Sequence, residues 1–279
     1  MKKIISIFSF VFLAFAPAAL AENNIRKVDF ENFTYSAFCA GEGPFEVTVS
    51  AGEFLKKEEV NGTVENYLRF QVKSVNYGDL NNDGKEEAVV ITVCNTGGTG
   101  QFSEGYIFSL ENKKPVLKGR IAGGDRADGG LVSAKIEEQT LIVESYEEGM
   151  GGALCCPEFI VTNKFHLSKN NKLVDFDKPT RRQLYPVNRI SFAKGAWSAT
   201  FETEIEYKKR FVVSARKGQT LYVKVNRENS PVYMHKGSVD LVENEDGLTA
   251  KLNENGDFIF DVNNNNEGSL IYTITVEIK

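Results

Sequence analysis

The sequence predicts a mainly β protein of two domains: an N-terminal disulfide-bonded antiparallel β domain and a C-terminal β-sandwich. Three observations predict it. Apolar residues alternate with polar ones in short runs along most of the chain, no long segment shows a 3.6-residue apolar period, and all four cysteines fall in the first part. At 279 residues the chain is long enough for two ordinary domains.

In the first domain, placed at 22–177, Tyr67 to Lys73 alternates, with Leu68, Phe70 and Val72 on one face and Arg69, Gln71 and Lys73 on the other. Ala88 to Cys94 is a continuous apolar, β-branched run, the pattern of a strand buried on both faces. Tyr106 to Leu110, Leu141 to Tyr146 and Phe159 to Leu167 read as further strands, and Asn112-Lys113-Lys114 and Asn170-Asn171-Lys172 as turns between apolar stretches. From 178 to 189, prolines and charges replace the alternation, which marks a connection between domains.

The second domain, placed at 190–279, contains no cysteine and must stand on its own core. Ala199, Phe201, Thr203, Ile205 and Tyr207 share one face of a strand. Leu221, Val223 and Val225 repeat the pattern, as do Phe258, Phe260 and Val262. Leu270, Tyr272, Ile274, Val276 and Ile278 close the chain. Lys217-Gly218-Gln219 and Asn255-Gly256 supply turns, and this spacing of short strands predicts an antiparallel sandwich.

Residues 1–21 have the form of a secretory signal peptide. Lys2 and Lys3 are basic, Ile4 to Phe15 is apolar, Pro17 breaks the run, and Ala19-Leu20-Ala21 precedes the expected cut. The apolar run is too short for a membrane span, which needs about 20 residues. A retained anchor is the alternative, but no cysteine near the cut offers a lipid-attachment site. The expected location is the periplasm, or the medium if the protein is secreted. Without Lys2 and Lys3, 31 basic residues remain against 38 acidic ones, which argues against nucleic acid or anionic lipid as partner.

In an oxidising compartment Cys39, Cys94, Cys155 and Cys156 imply two disulfides. A bond between neighbours strains the intervening peptide, so Cys39 and Cys94 are each expected to pair with one of Cys155 and Cys156. A zinc knuckle does not fit the adjacent cysteines.

The sharpest motif is Asp79-Leu80-Asn81-Asn82-Asp83-Gly84-Lys85-Glu86-Glu87. Oxygen side chains at alternate positions with Gly sixth can wrap a hard cation, with Asp79, Asn81, Asp83, the Lys85 carbonyl and Glu87 as ligands to a structural calcium. Val90 stands where a helix-flanked calcium loop needs a bidentate Glu, and a strand follows, so the loop resembles the strand-flanked calcium loops of FG-GAP-type repeats. An ion-free Asp/Asn/Gly hairpin is the alternative.

Catalytic signals are few. His166 and His235 are the only histidines, neither has metal-ligand spacing, and there is no nucleophile elbow, phosphate-cradling loop or dinucleotide fingerprint. Asp125 with Asp128, or Glu147 with Glu148, are the acid pairs an enzyme would use, but neighbours on a strand point to opposite faces. The protein is therefore expected not to be an enzyme. The loops Thr96-Gly97-Gly98-Thr99-Gly100 and Gly149-Met150-Gly151-Gly152-Ala153 read as tight turns beside disulfides, with a backbone-lined binding rim as the alternative; Gly123-Gly124-Asp125-Arg126 is a third glycine-rich stretch.

Two resemblances rest on these residues. From Val75 to Cys156 the Tyr-Gly-Asp-Leu-Asn-Asn-Asp-Gly-Lys-Glu-Glu-Ala-Val-Val segment, a following Cys with a Gly-rich loop and a later Cys-Cys-Pro resemble exported proteins of the LppP/LprE type, without their lipidated cysteine. From about Asn188 to Lys279 the chain resembles bacterial periplasmic inhibitors of g-type lysozyme and related pre-peptidase C-terminal sandwiches. This second likeness is carried by Ile190-Ser191-Phe192-Ala193-Lys194-Gly195, Lys217-Gly218-Gln219-Thr220-Leu221-Tyr222-Val223, Asn255-Gly256-Asp257-Phe258 and Tyr272-Thr273-Ile274-Thr275-Val276.

The resemblance implies a non-catalytic protein that binds a protein partner, such as a lysozyme or another lytic wall enzyme. An acidic surface would suit a basic lysozyme. Contacts are expected in the loops Arg227 to Val239 and Asn263 to Asn266, with Arg227, Tyr233 and His235 as partner-binding candidates. An envelope adaptor or carbohydrate-binding module is the alternative, followed by a wall hydrolase using the acids of the first domain.

Overall fold

The computed structural model describes residues 24–39, 41, 43–149, 156–168, 172–244 and 247–279. The leader expected over 1–21, Cys155, Asn170-Asn171 and residues 150–153 of one glycine-rich loop lie outside them. The chain divides into two compact units between Arg181 and Arg182.

Unit 1 is almost entirely strand. A 3-10 turn at Ile25–Lys27, capped where the Asn24 side chain accepts from the Arg26 amide at 2.8 Å, precedes β1 (Thr34–Ala37) and β2 (Phe45–Thr48), an antiparallel pair. β3 (Glu53–Val60), β4 (Thr63–Gly78), β5 (Glu87–Asn95), β6 (Phe102–Glu111) and β7 (Lys114–Ile121) form an antiparallel meander in chain order. β8 (Leu131–Glu137), β9 (Thr140–Glu147), β10 (Phe159–Leu167) and β11 (Leu173–Asp175) form another, and β12 (Thr180–Gln183) pairs with β10.

The unbroken apolar run of β5 follows from its place in the middle of these layers. Ala88, Val90 and Cys94 pack with Phe30, Tyr35, Phe70, Tyr106 and Phe108 on one face, beneath the β1–β2 pair. Val89 and Ile91 face the opposite way, into a core with Leu80, Ile107, Leu141 and Val143 from the neighbouring sheet. A strand with two apolar surroundings cannot alternate.

The hairpin between β6 and β7 turns on Asn112 and Lys113 at φ 48° and 62°, the left-handed pair of a type I′ turn. Glu138 and Gln139 take φ 46° and 63° between β8 and β9, a turn without a Gly or Asn signal.

The disulfide pairing differs from the expectation. Cys39 bonds Cys94, with Cα atoms 5.7 Å apart, so neither is bonded to Cys155 or Cys156. The reason lies in packing: the β1–β2 pair sits on the face of the meander that carries Cys94. The Glu104 carboxylate then accepts from the Phe38 amide at 2.8 Å and from the Cys39 amide, pinning the segment over the sheet. Cys156 is also disulfide-bonded, and no cysteine is free among the described residues.

Unit 2 is a two-sheet sandwich built from β13 (Val187–Arg189), β14 (Ser198–Ile205), β15 (Lys208–Ala215), β16 (Thr220–Val225), β17 (Val232–Lys236), β18 (Val239–Asn244), β19 (Gly247–Leu252), β20 (Gly256–Asn263) and β21 (Leu270–Ile278). One sheet runs β13-β15-β20-β17 and the other β14-β21-β16-β19-β18. Phe258, Phe260, Val262, Tyr272, Ile274 and Val276, all fully buried, fill the space between the sheets with Phe211, Val213, Leu221 and Val223.

Tyr207, expected on the core face of its strand, lies in the turn after β14 and is 70% exposed. The strand ends because Asn264 draws the turn inward, donating from its backbone to the Tyr207 carbonyl at 2.8 Å and from its side chain to the carbonyls of Ile205 (3.1 Å) and Glu206 (2.9 Å). The segment read as a connection also carries structure: β13 pairs parallel with β15, Val187 opposite Arg210. It is tied down by the Arg189 guanidinium, which bonds Ser214 Oγ at 2.9 Å and pairs with Asp257.

Two outcomes follow. Cys39→Ser with Cys94→Ser opens a link spanning 55 residues and should lower stability by about 4 kcal/mol on loop entropy, read as a lower urea midpoint for unit 1 signals. Arg189 and Ser214 hold the Asp257 carboxyl down from 3.8 to about 2, so the ion pair stabilises above the unfolded value and is lost as pH falls through about 2. Arg189→Gln should raise the Asp257 titration midpoint toward 3.8, measured by carboxyl-carbon NMR.

Candidate functional site

The Asp79–Glu87 segment folds as a loop between β4 and β5, closed by its own amides. Asp79 accepts from the backbone of Asp83 at 3.2 Å and of Gly84 at 2.9 Å, Asn81 from Asp83 at 2.9 Å, and Asp83 from Lys85 at 2.9 Å. Gly84 takes the left-handed φ of +81° that the turn needs. Glu87 is buried and accepts from the Leu80 amide at 2.9 Å and from Asn81 Nδ2 at 3.1 Å. Burial pushes its carboxyl above the ordinary value against the pull of the Leu80 amide, and Asp83 and Asp79 push the same way. The donors suit a hard cation in kind, but they are turned onto amides. Among the described residues no three acidic, His or Cys side chains gather at metal-holding spacing.

Two glycine-rich loops serve packing. Asn95, buried at the end of β5, donates to the carbonyls of Gly98 (2.8 Å) and Gly100 (2.6 Å) and accepts from the Gly97 amide at 2.8 Å, so one side chain closes the 96–100 loop. A Cβ on Gly124 would lie 2.1 Å from the Asp128 carbonyl, the cost of the close approach in which Gly124 donates to Gly129 at 2.8 Å. Asp125 accepts from the amides of Gln101 and Arg126, both at 2.7 Å. Glu147 pairs with Arg181, and Glu148 has one buried oxygen without a partner among the described residues.

The three partner-binding candidates fall on one side of unit 2. Arg227, Ser230, Tyr233, Met234, Leu241 and Leu248 line a cleft of about 460 Å³ between β17 and the β18–β19 hairpin. The Arg227 Nε donates to the Ile271 carbonyl at 2.7 Å and its guanidinium lies 5.7 Å from the Tyr272 ring, which fixes it at the rim. Tyr233 is 55% exposed and Leu241 50%. The 263–266 loop is held from within, since the Asn264 side chain accepts from Tyr272 Oη at 2.8 Å, which in turn bonds Ser230 Oγ at 2.9 Å.

His235 belongs to the face beside this cleft. β17 bulges between Met234 and Lys236, and the extra residue turns its ring to the outer surface of the sheet. There Arg210 and Asp261 form a buried pair, with Nε to Oδ1 at 2.7 Å and Nη2 to Oδ2 at 2.8 Å. The Arg210 Nη2 also lies 3.1 Å from His235 Nδ1, and Lys208 Nζ stands 3.7 Å from Asp261 and 4.1 Å from the Tyr185 ring centre. Sequence reading missed Arg210, Asp261 and Lys208. The available signal was an Asp between Phe260 and Val262 in a core strand; its partner required the register that sets Arg210 opposite Asp261.

The charge is also distributed unevenly. Unit 2 holds 13 basic and 13 acidic residues, so the acidity assigned to the whole chain resides in the other unit.

No family model and no curated protein matches the chain, so the LppP/LprE and FG-GAP likenesses stand on their residues alone. Three solved structures of periplasmic inhibitors of g-type lysozyme, named PliG, are similar over a third of it. The Salmonella Typhimurium protein is 22% identical, with 33% of this chain and 97% of that chain covered and a TM-score of 0.29. A mutant of the Escherichia coli protein is 22% identical, with coverages of 33% and 96% and a TM-score of 0.28. The Aeromonas hydrophila protein is 21% identical, with the same coverages and a TM-score of 0.28.

Proposed function

We propose that this is a periplasmic, non-catalytic protein whose second unit binds a lytic wall enzyme such as a lysozyme and blocks it. The observation that carries the reading is the cleft rimmed by Arg227, Tyr233 and Leu241 at the edge of the sandwich. Arg and Tyr are side chains that often anchor protein interfaces, and here Arg227 is fixed at the rim while Tyr233 lies exposed beside it. The resemblance of the residue pattern from Asn188 to Lys279 to inhibitors of g-type lysozyme supports this class of target. The balanced charge of unit 2 places the weight of recognition on local groups rather than on overall attraction.

The mature full chain should inhibit a g-type lysozyme at stoichiometric ratio in a cell-wall turbidity assay. Arg227→Ala and Tyr233→Ala should each weaken binding by about tenfold or more, the range of an anchoring side chain. Absence of binding across lysozyme classes, with retention on peptidoglycan resin instead, would transfer the assignment to an envelope adaptor.

Calcium at the Asp79–Glu87 loop forms part of the same reading, as a staple for unit 1. Its support is the all-oxygen donor set and the charge that Asp79 and Asp83 press on buried Glu87, which a cation would relieve. Millimolar calcium should raise the unfolding temperature of the chelator-treated protein, and Asp79→Asn should cancel the rise. An unchanged temperature would assign the loop to the self-closed hairpin.

A further inference from the structure

The chain has two histidines, and the structure places opposite chemical demands on them. At His235 the group facing Nδ1 is a guanidinium nitrogen of Arg210, 3.1 Å away. A guanidinium only donates, so Nδ1 must offer its lone pair and the ring proton must sit on Nε2. At His166 the group facing Nδ1 is the Gln139 carbonyl, also at 3.1 Å, which only accepts, so Nδ1 must carry the proton. The Arg210 guanidinium cannot swing away to relax the first demand, because two of its nitrogens bind the Asp261 carboxylate.

From this we infer that Arg210 acts as a positioning residue that holds His235 in its Nε2–H form, and that His235 and Tyr233 together present two outward donors to a carboxylate on a protein partner. The inference deepens the binding reading above, since it names the chemistry of the partner at the same side of unit 2. Tyr233 stands opposite Asp261 in the strand register, and His235 Nδ1 lies 4.0 Å from the same carboxylate, so the two side chains flank one point of the sheet. Neither the Tyr233 hydroxyl nor His235 Nε2 has a partner among the described residues, and Tyr233 is 55% exposed. His235 approaches Asp261 through Nδ1 at 4.0 Å and not through Nε2, and the hydrogen bonds to the Asp261 oxygens come from Arg210.

Charge points the same way. The outer face of this sheet carries Arg189, Lys208, Arg210 and Lys236 against Asp257 and Asp261. Asp257 pairs with Arg189 and Asp261 is shared by Arg210 and Lys208, so the four cations of this face exceed its two acids by two charges, with Lys236 outside these pairs. An acidic segment of a partner matches that excess, and a basic one is repelled.

The test uses the mature full chain labelled with ¹⁵N-histidine and ¹⁵N-tyrosine, so that the Tyr233 amide reports the peptide response in the His235 variants as well. Long-range ¹⁵N–¹H correlation at pH 7.5 should show His235 with a bare Nδ1 and a protonated Nε2, and His166 with a protonated Nδ1. A protonated Nδ1 on His235 overturns the positioning role of Arg210. Titration with acetyl-hexaglutamate amide should shift the Tyr233 and His235 resonances at millimolar concentration, and acetyl-hexalysine amide should not. His235→Gln, which keeps a donor at the ε position, should retain the peptide response, and His235→Leu should reduce it about tenfold. No response on this face, or an equal response in His235→Leu, overturns the carboxylate site. The tautomer and peptide readings need no lysozyme. A failure of lysozyme binding alone therefore removes the proposed target and leaves this inference standing.

Discussion

Alternation along β20 is the constraint on which the polar face around Asp261 depends. Phe258, Phe260 and Val262 are fully buried between the two sheets, and a strand whose even positions are committed to a core must send its odd positions the other way. Asp257 and Asp261 are therefore driven onto the outer surface, where register with β15 brings Ser214 and Arg210 opposite them. Slipping β20 by one residue would put two carboxylates into an apolar core, which the cost of burying charge forbids. The polar arrangement is thus a by-product of hydrophobic packing on the reverse of the same strand.

Burying the Arg210–Asp261 pair is expensive unless its lone pairs and protons are matched, and here they are matched twice over. The guanidinium forks onto the carboxylate through Nε and Nη2, and the same Nη2, which carries two hydrogens, also faces His235. Such a pair contributes direction more than stability: it keeps side chains on β15, β17 and β20 in one arrangement. The β-bulge in β17 completes the arrangement by turning His235 toward the pair, so a local irregularity in one edge strand decides which ring reaches the charge. Arg227, one loop away, is fixed differently, by a backbone carbonyl and an aromatic face.

Unit 1 solves the same burial problem with layers. Its meander is covered on both faces, by the β1–β2 pair on one and by the β8–β9–β10 sheet on the other, and the Cys39–Cys94 bond ties the small covering piece to the middle strand. A two-stranded ribbon is barely stable alone. Glu104 and the disulfide hold this one in place just after β1, and the Asp79–Glu87 loop closes the opposite end of β5 with a buried carboxylate.

Much of this was legible in the sequence because it depends on local periodicity. The two-sided burial of Ala88 to Cys94, the inward faces of the strands at 221–225, 258–262 and 270–278, and the β character of both halves all follow from which residues alternate and which do not. Tyr207 was misplaced because nothing local distinguishes the last inward residue of a strand from the first residue of its turn. Only Asn264, distant in sequence, makes the difference. The Cys39–Cys94 bond and the Arg210–Asp261–His235 contact were hidden for a related reason: each joins residues from separate strands. Side-chain spacing along a chain specifies what a strand buries, whereas pairing across strands is settled by how the sheets stack and by where one strand bulges.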